Sequence, residues 1–140
     1  MTDVHASLRI YGDDVDPLDV AKALGLPADY SHRRGEPRLV RNPRTMEVRA
    51  GAEHRNGMWI MSSERWIASE RLGDHVRWIL QQLRGREAAL ARLVSEGAAA
   101  DVLCYSFSPA ATPQEISETL LRSASDLGLS IDIDHYDSRE

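Results

Sequence analysis

Three stretches patterned with a period of two constrain what this chain can fold into. In the first, Val4, Ala6, Leu8 and Ile10 alternate with Asp3, His5, Ser7, Arg9 and Tyr11. In the second, Val102, Cys104 and Ser106 alternate with Asp101, Leu103, Tyr105 and Phe107; in the third, Leu129, Ile131 and Ile133 alternate with Ser130, Asp132 and Asp134. A period of two sends successive side chains to opposite faces, so each stretch predicts a strand with one buried face. The compact run Met58-Trp59-Ile60-Met61-Ser62-Ser63 reads as a central strand, and Tyr30-Ser31-His32-Arg33-Arg34 as a weaker extended one.

Helical spacing fills the intervals. Asp16 can cap a helix whose first position is Pro17, Val20, Ala21 and Leu24 form its stripe, and Gly25 with Pro27 ends it. Leu72, Val76, Ile79, Leu80 and Leu83, then Leu90, Leu93 and Val94, repeat at helical spacing on either side of Gly85. A glycine inside a helix costs about 0.5–1 kcal/mol, so Gly85 predicts a kink or a break into two helices. Thr112-Pro113-Gln114-Glu115 has the form of a capping box and predicts a helix start there, with Ile116, Leu120, Leu121, Ala124 and Leu127 facing the core.

The resulting order is strand, helix, strand, strand, helix pair, strand, helix, strand. It predicts an α+β fold: a ferredoxin-like βαββαβ unit extended by a further helix and strand, one mixed sheet with helices packed on it. Residues 1–140 read as a single domain, with 37–57 as an arginine-rich loop excursion.

Several ordered segments also carry a resemblance. They are Ser7-Leu8-Arg9-Ile10-Tyr11-Gly12, Asp16-Pro17 leading to Leu24-Gly25-Leu26, and Ser31-His32-Arg33-Arg34-Gly35-Glu36. Gly57-Met58-Trp59 with Ser62-Ser63, the helices from Leu72 to Gly97, Cys104-Tyr105, and Leu127-Gly128 before Ile131-Asp132-Ile133 complete the set. Over nearly its full length the chain resembles the bacterial family called domain of unknown function 4279. It departs from that family's pattern by extra residues between Pro37 and Asn56. The resemblance implies the domain limits and transfers no activity.

Composition narrows the function classes. A net charge of −5 argues against general polyanion binding, so nucleic acid is disfavoured as a partner. The single cysteine, Cys104, excludes an internal disulfide, and it reads as a small core residue. No apolar run reaches the ~20 residues of a membrane span, and Met1-Thr2-Asp3-Val4-His5 lacks the basic and apolar regions of a secretory leader. A cytoplasmic protein without a membrane partner is the expectation.

Two clusters invite chemistry. The excursion carries Arg33, Arg34, Arg38, Arg41, Arg44, Arg49 and Arg55, with His32 and His54, against only Glu36, Glu47 and Glu53, its guanidiniums suited to carboxylate or phosphate. If Tyr30–Arg34 and Met58–Ser63 are adjacent antiparallel strands, then His32, Arg33, Arg34, Trp59, Ser62 and Ser63 become a candidate ligand-binding wall. Trp59 as a core residue is the favoured alternative, and charge runs are usually solvated. Asp132 and Asp134 beside His135 read more readily as edge-strand charges than as a metal site. His75, at a helix start, is expected near solvent or near Glu64.

No nucleophile elbow, phosphate-cradling glycine loop or zinc helix is present in the sequence. No catalytic residue, metal or cofactor is therefore expected. The leading reading is a non-enzymatic binding module for a protein partner, with an immunity-type role as its sharpest form. A small-molecule-sensing domain with an anion site at His32, Arg33 and Arg34 is the second, and an enzyme on a phosphorylated substrate the third. Edge strands leave the oligomeric state open, a dimer included.

Overall fold

In the computed structural model, which describes residues 1–139, the chain forms seven strands and four helices. Strand β1 is Asp3–Gly12, helix α1 Pro17–Leu24, β2 Tyr30–His32, β3 Pro37–Arg41, β4 Val48–Glu53 and β5 Gly57–Ser62. Helices α2, Leu72–Gln82, and α3, Glu87–Ser95, precede β6, Ala99–Ser108; α4, Glu118–Asp126, leads to β7, Ser130–Asp137.

Five strands form one sheet in the order β2-β5-β1-β6-β7. The β1–β5, β1–β6 and β2–β5 pairs are antiparallel, and β6–β7 is parallel. With β3 and β4 set aside, β1, β2, β5 and β6 have the strand order and directions of a ferredoxin-like unit. Helix α4 then makes the crossover that a parallel neighbour requires.

The alternation in the sequence becomes a two-faced sheet. Val4, Ala6, Leu8 and Ile10 of β1, Trp59 and Met61 of β5, and Val102 and Cys104 of β6 are buried on one side. The register stacks them, Leu8 beside Met61 and Val102, Ile10 beside Trp59, and Ala6 beside Cys104. Helices bring Val20, Leu24, Leu72, Val76, Ile79, Leu83, Leu90, Leu93, Leu120 and Ala124 onto this face, completing one apolar cluster.

The opposite face stays partly exposed and carries His5, Arg9, Tyr11, Ile60, Leu103 and Tyr105. On it, buried Asp101 accepts two 2.7 Å hydrogen bonds from the Arg9 guanidinium and one of 3.1 Å from the Tyr11 hydroxyl. These contacts hold Arg9 more firmly protonated; burial, then the Asp101 charge, pushes the Tyr11 phenol above its usual range. Asp101→Ala orphans three donor groups on two side chains at a site that water partly reaches, so a loss of about 2 kcal/mol in urea unfolding is expected.

Gly85, at φ 80°, separates α2 from α3 as its position predicts. Three local expectations are corrected. Residues 37–57 are not a loop: β3 and β4 pair as an antiparallel hairpin, separate from the main sheet. Its turn begins at Asn42, whose side chain accepts from Arg44 N, and Met46 takes the left-handed conformation at φ 62°. Both strands are exposed along their whole length, so no buried face imposes alternation on their sequence.

The second correction concerns α4, which starts at Glu118 under a Ser117 cap rather than at Pro113. Gln114 is used elsewhere: its Oε1 accepts from Leu72 N at 2.8 Å, and its amide donates to Glu70 O. Because Arg71 offers no side-chain cap to α2, Gln114 serves that helix from a distance. The third is Leu121, 44% exposed, which faces away from the core.

Candidate functional site

Strands β2 and β5 are neighbours, yet their register separates the expected cluster. Ser31 lies opposite Trp59 and His32 opposite Met58, so Trp59 and His32 belong to different faces. Trp59 is fully buried in the core, and its indole N–H has no acceptor among the described residues. Ser62 N donates to Asp29 Oδ2 at 2.7 Å, while the Ser62 hydroxyl accepts from Glu64 N. Arg33 and Arg34 follow the end of β2, exposed, at 3.7 Å from Asp16 and 3.6 Å from Asp14.

Ser63, like Trp59, is fully enclosed. Its hydroxyl oxygen accepts from Ala6 N at 2.9 Å, the hydroxyl is hydrogen-bonded to His75 Nδ1 at 2.7 Å, and His75 Nε2–H donates to Ser69 O at 2.8 Å. Because the Ser69 carbonyl can only accept, Nε2 carries a proton, and Nδ1 is the nitrogen that faces the Ser63 hydroxyl. The pair has the spacing of a nucleophile and its base, with the Ser69 carbonyl in the place of an orienting third group, but both residues are buried, so a substrate has no direct access to them. His75 thus lies inside, not near solvent.

The same device recurs across the sheet. The Ser106 hydroxyl donates to His135 Nδ1, and His135 Nε2–H donates to Ala110 O. On β7 the side chain of His135 therefore faces away from those of Asp132 and Asp134. Among the described residues, no three His, Cys, Asp or Glu side chains are grouped to hold a metal. Cys104 is wholly buried; burial first, then the Asp132 charge, pushes its thiol up to about 12. Native protein at pH 8 should resist iodoacetamide and urea-unfolded protein should react, with intact mass as the readout.

His32 anchors the hairpin. Its Nδ1 accepts from the Tyr30 hydroxyl at 2.7 Å, its Nε2–H donates to Asn56 Oδ1 at 3.2 Å, and its ring stacks on His54 at 3.6 Å and 11°. Backbone bonds from His54 N to Glu36 O and from Gly35 N to His54 O close the base. The sequence names His54 beside His32 in the excursion, but neither their stacking nor the part of Asn56 is readable there, because the residues between carry no pattern that announces a pairing. Beyond the base, the hairpin projects Leu39, Val40, Met46 and Val48, from 48% to 77% exposed, among its arginines.

The stack makes the base pH-sensitive. Desolvation first, then the charges of His32 and Arg38 against the opposing pull of Glu36, hold His54 below its ordinary pKa of 6.5. A depressed histidine pKa means that opening the base takes up a proton. Its stabilisation is thus complete above about pH 6.5 and lost as pH falls through the lower, folded-state value. Amide exchange across 36–54, corrected for intrinsic rates, should be faster at pH 5.5 than at pH 7.5. His54→Phe should flatten that difference.

Fold and site together define an α+β domain in which a ferredoxin-like sheet, extended by one strand, supports a projecting cationic hairpin at the β2–β5 end. The chain belongs to the family described as Domain of unknown function (DUF4279), whose sequence profile matches residues 2–138. No curated protein and no solved structure matches it. No helix among the described residues is long and apolar enough to cross a membrane.

Proposed function

We propose that the chain is a binding module rather than an enzyme, and that the β3–β4 hairpin recognises an acidic surface on a protein partner. The observation that carries this is the hairpin itself. A two-stranded ribbon is marginal in water, and this one leaves Leu39, Val40 and Val48 uncovered beside Arg38, Arg41 and Arg49. Segment 33–55 holds seven arginines against three glutamates, a net +4 that leaves −9 on the remaining residues. Cationic forks flanking apolar side chains are the composition of a docking surface for carboxylates.

The test is an Arg38→Glu, Arg41→Glu, Arg49→Glu variant. Wild-type protein carrying a photo-crosslinker at Leu39 should trap a stoichiometric partner in its host, and the variant should lose that adduct with its melting temperature unchanged. An identical adduct pattern in both proteins would refute the reading.

One observation favours a second reading, a small acceptor-bearing ligand. A cleft of about 290 Å³ between α1 and β2 is lined by Ser31, His32, Arg33, Glu36 and Trp59, the last with its unpaired indole N–H. Thermal-shift screening with sugar phosphates and nucleotides separates the two: ligand at 100 times its Kd stabilises by about 2.7 kcal/mol. An enzyme working through His32, Arg33 and Arg34 finds no support, since His32 is fully engaged and the two guanidiniums point to solvent beside Asp16 and Asp14.

A further inference from the structure

A separate cavity of about 320 Å³ opens where the α1–β2 and β5–α2 connections meet α2. Its walls are the indoles of Trp66 and Trp78 with Leu26 and Ala28, Met61 lies beneath, and Gln82 stands at the side. The indoles lie within 14° of parallel, their centroids 6.4 Å apart. Trp66 is 57% exposed, a large apolar ring left in water outside the core.

That ring sits on an anchored turn. Trp66 N and Ile67 N both donate to Ser63 O, and Ser63 is itself fixed by His75 and Ala6. Across the mouth, Asp29 is held by its backbone bond to Ile60 O and by the bond from Ser62 N. Arg65 closes the rim, with its Nε 3.5 Å from Asp29 Oδ1 and its guanidinium 5.6 Å from the centre of the Trp66 ring. The site is thus arranged before any ligand arrives, which lowers the ordering cost of binding.

The chemistry selects a class. Near-parallel indoles offer π faces to a flat ring, and aromatic pairs favour offset stacking beyond simple area burial. The one carboxylate and the one guanidinium at the rim neutralise each other, so the cavity presents no net charge to attract an ion. The Gln82 side-chain amide has no hydrogen-bond partner among the described residues and offers one donor group and one acceptor, the complement of a lactam or aminopyrimidine edge. The volume lies at the lower end of the range for small-molecule sites.

We propose that this cavity binds a neutral planar heteroaromatic ring of nucleobase type, stacked on Trp66 and Trp78 and bonded at its edge by Gln82. It is independent of the hairpin. The test follows the three tryptophan indole N–H resonances by NMR while adenosine, guanosine, cytidine, uridine and the non-planar cyclohexanol are titrated to millimolar concentration. At least one nucleoside should shift Trp66 and Trp78 saturably while Trp59, enclosed in the core, stays still.

Trp66→Ala should weaken that nucleoside at least tenfold without lowering the melting temperature, because the side chain is mostly outside the core. Gln82→Leu should narrow the differences among the four nucleosides. The arginine-to-glutamate hairpin variant should bind as wild type does, so failure here and failure of the hairpin reading are separable. No saturable shift from any nucleoside, equal binding by Trp66→Ala, or equal binding of cyclohexanol would each overturn the proposal.

Discussion

Gly57→Ala is expected to abolish or nearly abolish folding. A methyl group at this position would lie 1.7 Å from the carbonyl oxygen of Val15 and 2.8 Å from its carbon. Both are backbone atoms of the turn that carries β1 into α1, and that turn is tied to the sheet by Val15 N donating to Gly12 O. Gly57 faces Gly12 across the β1–β5 ladder, so relief requires lifting the turn off the sheet or separating two central strands. A destabilisation of about 4 kcal/mol or more, at the upper end for single substitutions, should appear in thermal and urea melts. Gly12→Ala is the control: its methyl would meet only the end of the Val15 side chain at 3.1 Å, and the Gly97 carbonyl at 3.4 Å. A loss of about 1 kcal/mol is expected there. Gly57→Ala melting with the wild-type protein would show that the turn is not clamped as described.

His75→Ala carries the second large effect. The imidazole is 1% exposed and joins three segments: Ser63 at the end of β5, the Ser69 carbonyl in the connection, and the first turns of α2. Its removal leaves a cavity, a buried hydroxyl without its partner and a carbonyl without its donor. Cavity and orphaned groups together should cost about 3–4 kcal/mol in urea unfolding. The same geometry predicts that Ser63 is inert to fluorophosphonate probes in the native state. Its oxygen is enclosed, and its hydrogen bonds are committed to Ala6 and His75. A labelled Ser63, or a His75→Ala variant as stable as wild type, would reverse the assignment of this pair as structural.

The sheet was legible because burying one face writes a period of two into β1, β6 and β7. The break at Gly85 was legible because a left-handed residue punctuates a helix locally. The hairpin was hidden for the converse reason: with both faces in water, Pro37–Arg41 and Val48–Glu53 are under no demand to alternate. Capping also misled where a tertiary partner competed, since Gln114 satisfies Leu72 N instead of the start of its own helix. Of the candidate wall, adjacency of β2 and β5 was readable, but the register was not. Pairing Ser31 with Trp59 puts His32 on the opposite face from Trp59, although both residues border the cleft between α1 and β2.

The sequence alone determined the order of the helices and of the five strands of the main sheet, the aliphatic core and the concentration of arginine in one segment, because these follow from local periodicity and composition. Tertiary structure decided which polar groups meet. The Ser63–His75 and Ser106–His135 pairs, the Arg9–Asp101 clamp, the His32–His54 stack and the Trp66–Trp78 cavity each join residues from separate segments. Their partnership depends on strand register and helix placement, which the packing of the whole chain sets.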